Sequence, residues 1–252
     1  MVYVTGDCHA DWSRFSMRNF PDQKDMTRDD IVIVCGDFGL WHDDARERHE
    51  LDELAKRSFT VVFVDGNHEN FDRLYGDEFP VVDFHGGKAH KIRDNIYHLM
   101  RGYVFTFGGK KFWAFGGASS HDIQDGILDP DKYKDLKGLR NAAKRLDRQG
   151  KRMYRIKHLS WWEQEMPSME ERQFGLRMLQ ENGNKVDYII THCAPQEIAS
   201  ICGFRDSDEL TRYFDMIKTI TDFDAWYFGH YHKEGRIYSR FNLFYEQIMR
   251  II

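Results

Sequence analysis

Five short apolar runs in this chain each end on residues that bind metals or move protons. VYVTG leads into Asp7, Cys8 and His9, IVIVCG into Asp37, and TVVFVDG into Asn67, His68 and Glu69. VDYIIT leads into His192, and AWYFG into His230 and His232. In extended backbone alternate side chains share a face, so Asp7 and His9 should point one way with Cys8 turned away. The same alternation should align His230 with His232 and oppose Tyr231. Neutral imidazoles and carboxylates are transition-metal ligands. Asp7, His9, Asp37, Asn67, His192, His230 and His232 are more donors than a single tetrahedral ion needs. Nitrogen and oxygen donors without thiolate favour Mn, Fe or Zn. With one carboxylate shared, they could hold two divalent metal ions roughly 3.5–4 Å apart.

Two divalent ions against two carboxylates leave a formal excess of roughly +2, which suits a bridging hydroxide together with an anionic phosphoryl oxygen. A metal-bridging hydroxide is a nucleophile available near neutral pH. His68 follows Asn67 directly, so it should lie near the metals but point differently. It is the candidate general acid for the leaving oxygen, with Glu69 or Asp65 orienting it.

The elements that must position these residues are strands of continuous apolar character, the pattern of sheets covered on both faces. Residues 43–57, 168–182 and 207–220 carry helical periodicity between them, and Ser168 with Glu171 forms a capping box. Hairpin strands are expected around 96–116 and again in the final stretch, turning near Asn242. The alternation indicates an α/β fold with mixed sheets. No linker or repeat divides the chain, so 1–252 reads as a single domain with a basic helical insertion at about 118–165.

The 252 residues carry a net charge of −5, which leaves the molecule as a whole without an electrostatic footprint for nucleic acid. Cys8, Cys35, Cys193 and Cys202 have no C-x-x-C spacing, which fits a reduced cytoplasmic protein. The first residues lack the basic region of a signal peptide, and the apolar runs have strand length, so no membrane association is expected.

Residues 132–157 hold eleven Lys or Arg against Asp135 and Asp147, and Tyr133, Leu136, Leu139, Ala143 and Leu146 trace one helical face. Such a helix is most simply a solvated face. It could also bring Arg140, Lys144 or Arg145 toward an anionic substrate or single-stranded nucleic acid. His121 and Asp122 follow a strand end and could line the cleft, while Trp161 and Trp162 read as core.

The elements GDCH, GDFG, GNHE, TH and GHYH, in that order, resemble the calcineurin-like metallophosphoesterases, whose pattern is D-x-H, G-D, G-N-H-D/E, H and G-H-x-H. The likeness runs from residue 5 to 232. It implies a four-layer sandwich of two mixed β-sheets flanked by helices, with the metal site at one edge. It further implies that Asp7, His9, Asp37 and His232 bind one ion, and Asp37, Asn67, His192 and His230 the other. His68 matches the catalytic histidine.

The chain departs from the family where many members read G-D-x-x-D, with an arginine next in the protein phosphatases. Here Gly36-Asp37-Phe38-Gly39-Leu40-Trp41 lacks both the acid and the arginine, which argues against a phosphoprotein substrate. The tyrosine ligand of purple acid phosphatases is missing too. The expectation is therefore a dinuclear metal-dependent phosphoesterase acting on a small phosphorylated substrate, with a diester or nucleotide favoured. A nucleic-acid-processing nuclease is the alternative, and a non-catalytic binding module on the same scaffold ranks below it.

Overall fold

The computed structural model describes residues 1–205 and 207–252. The chain opens with β1 (Val2–Thr5), β2 (Ile31–Val34), α1 (Ala45–Ala55), β3 (Thr60–Phe63) and α2 (Phe71–Leu74). Five strands follow: β4 (Val81–Phe84), β5 (Gly87–Arg93), β6 (Ile96–Leu99), β7 (Val104–Phe107) and β8 (Lys110–Phe115). Next come β9 (Gly126–Leu128), α3 (Leu136–Arg148), β10 (Tyr154–Ile156) and α4 (Met169–Glu181). After β11 (Tyr188–Thr191) come α5 (Gln196–Ile201), α6 (Glu209–Ile220) and β12 (Ala225–Phe228). The last strands are β13 (Gly235–Ile237), β14 (Phe241–Leu243) and β15 (Met249–Arg250).

One sheet has the order β15-β1-β2-β3-β6-β5-β4 and the other β13-β14-β12-β11-β8-β7. Both are mixed. β1, β2, β3 and β6 run parallel, as do β8, β11, β12 and β14, with antiparallel strands outside them. Because side chains alternate along a strand, each sheet feeds two cores. Val2, Val4, Ile31, Ile33 and Val62 face Phe105, Phe107, Phe112, Ile190 and Tyr227 between the sheets. The opposite face of the first sheet packs Val32, Val34, Val61 and Phe63 under Leu51 and Leu54 of α1 and Phe71 of α2. The opposite face of the second packs Trp113, Phe115, Ile189 and Trp226 under Leu179 of α4 and Leu210, Phe214 and Ile217 of α6. The result is the expected four-layer α/β sandwich.

The helices start on capping residues, at α4 on the expected one. Ser168 and Glu171 complete their reciprocal box at α4, Asp44 accepts from the Glu47 amide at α1, and Asp208 caps α6. No helix among the described residues is long and apolar enough to cross a membrane. The chain's final stretch differs from the sequence expectation. β13 and β14 do pair antiparallel, but the turn lies at Tyr238 and Ser239, with φ of 49° and 60°. Asn242 sits inside β14, where its amide donates to the Arg240 carbonyl at 3.2 Å, so the side chain that suggested a turn serves the strand. β15 then leaves for the first sheet and pairs with β1, Tyr3 opposite Arg250.

The basic segment also differs. Its helix is α3 alone, capped by Asp135, and it serves as the crossover that lets β9 and β10 pair in parallel. Leu139 is buried, whereas Arg140, Lys144 and Arg145 project into solvent with no side-chain partner among the described residues. The segment is moored to α2 through Asp72, which takes hydrogen bonds from Trp162 Nε1 at 2.7 Å and His158 Nδ1 at 2.9 Å.

Candidate metal centre

Every donor loop leaves the carboxyl end of a parallel strand, three from the first sheet and two from the second, so all five open on one edge of the sandwich. His9 Nε2 lies 3.0 Å from His232 Nε2, 3.8 Å from Asp7 Oδ2 and 3.6 Å from Asp37 Oδ2. His232 Nε2 is 3.3 Å from Asp7 Oδ2. On the other side, His192 Nε2 is 3.4 Å from Asp37 Oδ1, 3.3 Å from Asn67 Oδ1 and 3.2 Å from His230 Nδ1. All seven residues singled out as donors therefore converge. Donor atoms of Asp7, His9 and His232 fall within 4.8 Å of one another, as do those of Asp7, Asp37 and His192, and those of His9, Asp37 and His68.

Glycine makes this approach possible. A Cβ on Gly36 would stand 2.1 Å from His192 Nδ1, one on Gly66 would stand 2.0 Å from Asp37 Oδ1, and one on Gly229 would stand 2.1 Å from Asp7 Oδ1. The turns after these strands are tight, and His9, Asp37, His230 and His232 adopt φ of 48°, 47°, 70° and 49°. That left-handed backbone, unusual outside glycine, marks strain concentrated at the site. It also corrects the expectation of extended geometry. His230 and His232 do not share a strand face; a turn sends His230 toward His192 and His232 toward Asp7. Cys8 and Cys193 do face the core, and burial pushes the Cys8 thiol up to about 12, too high for a nucleophile.

The electrostatics fit cations. Asp7 and Asp37 are each 1% exposed, and among the described residues neither carboxylate pairs with a lysine or arginine; only histidines face them. Burial alone would raise the proton affinity of Asp37, but the neighbouring His192 outweighs it and holds the carboxyl well below its ordinary range. Burial alone would discharge His192, and Asp37 reverses that, raising the imidazole to about 10. Both shifts have one cause, a buried carboxylate facing a buried imidazole, and a donor set of nitrogen and oxygen around two buried carboxylates suits divalent ions.

His68 stands beside this cluster. Its amide donates to Asp37 Oδ1 at 2.8 Å, and its ring stacks on Trp41 at 4.9 Å and 25°. Burial lowers its proton affinity while Asp37 works the other way, so a proton on this ring is given up readily. Neither residue expected to orient it does so. Glu69 instead accepts the Phe38, Gly39 and Leu40 amides at 2.7, 3.1 and 3.0 Å, pinning the Asp37 loop. Asp65 turns away to His98 and Arg101. A groove of about 780 Å³ opens beside His9, with Asp44, Glu50 and Glu53 on its wall.

Several residues of the site were not among the expected donors. His121 Nε2 lies 2.7 Å from His230 Nε2, and the sequence signalled it only as a histidine after a strand end. Ser120 accepts from Asn67 Nδ2 at 3.4 Å and donates to Glu165 through its amide and hydroxyl at 2.9 and 2.6 Å, which fixes which way the Asn67 amide faces. Arg14 donates to the carbonyls of Gly6, Asp7 and Tyr245, clasping the β1 turn.

Burial raises the Glu165 carboxyl to about 7 from its ordinary 4.5. The folded chain then keeps a proton that the unfolded chain has lost, so this residue's contribution to stability falls as pH rises from about 4.5 to about 7 and is level above. The loss is on the order of 3 kcal/mol. In metal-free protein, Glu165→Gln should melt higher than the parent at pH 8 and alike or lower at pH 5. Equal pH profiles would contradict the assignment.

The family model for calcineurin-like phosphoesterases matches residues 1–234. The chain belongs to that family and is a metal-dependent phosphoesterase. No curated relative matches the sequence significantly. Among solved structures, phosphopantetheinyl hydrolase (PptH) from Mycobacterium tuberculosis is similar over 97% of this chain and 89% of its own, with a TM-score of 0.40 and 14% identity.

Proposed function

We propose that this protein hydrolyses a small phosphate ester, of diester or nucleotide type, at a dinuclear centre. Asp7, His9, Asp37 and His232 would hold one divalent ion, and Asp37, Asn67, His192 and His230 the second, with manganese, iron or zinc as candidates. The observation that carries the reading is Asp37, whose Oδ2 approaches His9 and whose Oδ1 approaches His192, so that one carboxylate serves both halves of the donor set. Two bound divalent ions supply Lewis acidity and bring the ionisation of water into the neutral range. Glu69 keeps Asp37 in place through its loop. Ser120 keeps the Asn67 carbonyl turned inward. Trp41 holds His68 flat, where its ring can deliver a proton to the leaving oxygen.

The chain works on this reading as one domain, 1–252, in the cytoplasm, with 118–165 inserted beside the centre as the source of specificity. A nucleic-acid substrate is the second reading, favoured by the exposed cations of α3, which have no side-chain partner among the described residues. Turnover of phosphomonoesters, phosphodiesters and a single-stranded oligonucleotide with each metal tests both; inactivity on all of them would overturn the proposal.

His68→Ala should lower turnover of an alkyl phosphodiester by about a hundred- to ten-thousandfold. A nitrophenyl diester, whose leaving group needs no proton, should suffer far less, and metal content should be unchanged. Equal losses on both esters would remove His68 from the acid role.

A further inference from the structure

An anionic phosphoryl group beside His68 would gain from a fixed cation besides the metals, whereas Arg140, Lys144 and Arg145 of α3 project into solvent. The guanidinium of Arg155 on β10 stands against two neighbours of the donor cluster, Asp122 and Trp41. Its Nε and Nη2 bind Asp122 at 2.8 and 2.5 Å, and Asp122 follows His121, whose ring touches His230. On the other side its Cζ lies 5.9 Å from the centre of the Trp41 ring, which stacks on His68. The arginine is thus linked through Asp122 and His121 to His230 and through Trp41 to His68.

Among the described residues the fork is held by one edge only. Asp122 occupies Nε and Nη2, while Nη1 makes a single long contact of 3.5 Å to the Ser160 carbonyl. Arg14, the other guanidinium at the centre, donates to three carbonyls and the Thr5 hydroxyl and has no comparable edge. The Arg155 side chain is 17% exposed, enough for a ligand to reach and too little for the side chain to swing freely. An arginine oriented by a carboxylate on one edge and open on the other is preorganised for phosphoryl oxygens.

We propose that Arg155, held by Asp122, binds the non-bridging oxygens of the substrate's phosphoryl group, so that the inserted segment completes the substrate site. This rests on the phosphoesterase reading, and the test separates the two. Manganese-loaded wild type, Arg155→Gln, Arg155→Lys and the control Lys185→Gln, at an exposed lysine paired with Asp222, are titrated with inorganic phosphate by calorimetry, and KM and kcat are measured for the best diester.

Arg155→Gln should weaken phosphate binding and raise KM by about ten- to a hundredfold, with metal content and melting temperature unchanged. Arg155→Lys should fall between, because it keeps the charge and loses the fork, and Lys185→Gln should match wild type. Phosphate binding equal in wild type and Arg155→Gln, or absent from wild type, overturns the assignment even if turnover persists. A wild type that binds phosphate through Arg155 yet hydrolyses no ester upholds it and overturns the phosphoesterase reading instead.

Discussion

Asp37→Asn is expected to reduce kcat/KM by about three orders of magnitude or more, equivalent to several kcal/mol of lost transition-state stabilisation. Metal bound per chain should fall below two. Asp37 is the carboxylate that approaches both His9 and His192, so neutralising it weakens both halves of the donor set at once. The fold should survive. Asparagine has the same shape, still accepts the His68 amide through Oδ1, and removes a buried charge that has no lysine or arginine partner among the described residues. Elemental analysis of protein equilibrated with manganese, run alongside the assay, checks this. Two ions retained with near-parental kcat/KM would mean that Asp37 is not shared.

The largest effect on stability is expected away from the donors, at Arg101. This guanidinium is 1% exposed and donates to Asp65 at 2.5 and 3.0 Å, to the Gln164 carbonyl at 2.7 Å and to Glu171 at 3.2 Å. Burial alone would raise the Asp65 carboxyl, but Arg101 with His98 holds it well below its ordinary range. Removing the cation leaves a fully buried carboxylate with only His98 against it, so Arg101→Ala should cost about 3–5 kcal/mol. For a chain of this size that is a fall in melting temperature on the order of 10 °C. A melt within two degrees of the parent would show that Asp65 is neutralised some other way. Asp65 lies two residues before Asn67, so the variant should also loosen the loop that carries that donor.

Much of the fold could be read from the chain because apolar runs, glycines and caps are local signals. The turns before Asp37, Asn67 and His230 announce themselves by glycine, and the structure gives the reason: any side chain there would strike His192, Asp37 or Asp7. What stayed hidden depends on contacts between distant segments. Nothing near Glu69 reveals that it binds amides 30 residues earlier, and Tyr154–Ile156 is too short to stand out as a strand until β9 pairs with it. Arg155 resembled one more charge in a basic run, and only Asp122 and Trp41 distinguish it from Arg140 or Arg145. The shared orientation of His230 and His232 failed for a local reason, because extended alternation does not apply to left-handed residues in a turn.

The pairing of β15 with β1 has a consequence for how the molecule assembles. The path lays down most of the first sheet, builds the second, and returns to pair Arg250 with Tyr3 only at the end. Until then the outer rim of Val2–Thr5 stays unzipped, an apolar ribbon open to partners from other molecules. Joining positions so far apart in the chain costs more loop entropy than any neighbouring hairpin does. A chain shortened before Met249 would bare the rim of Val2–Thr5 as a sheet edge, a template on which another molecule could add a strand.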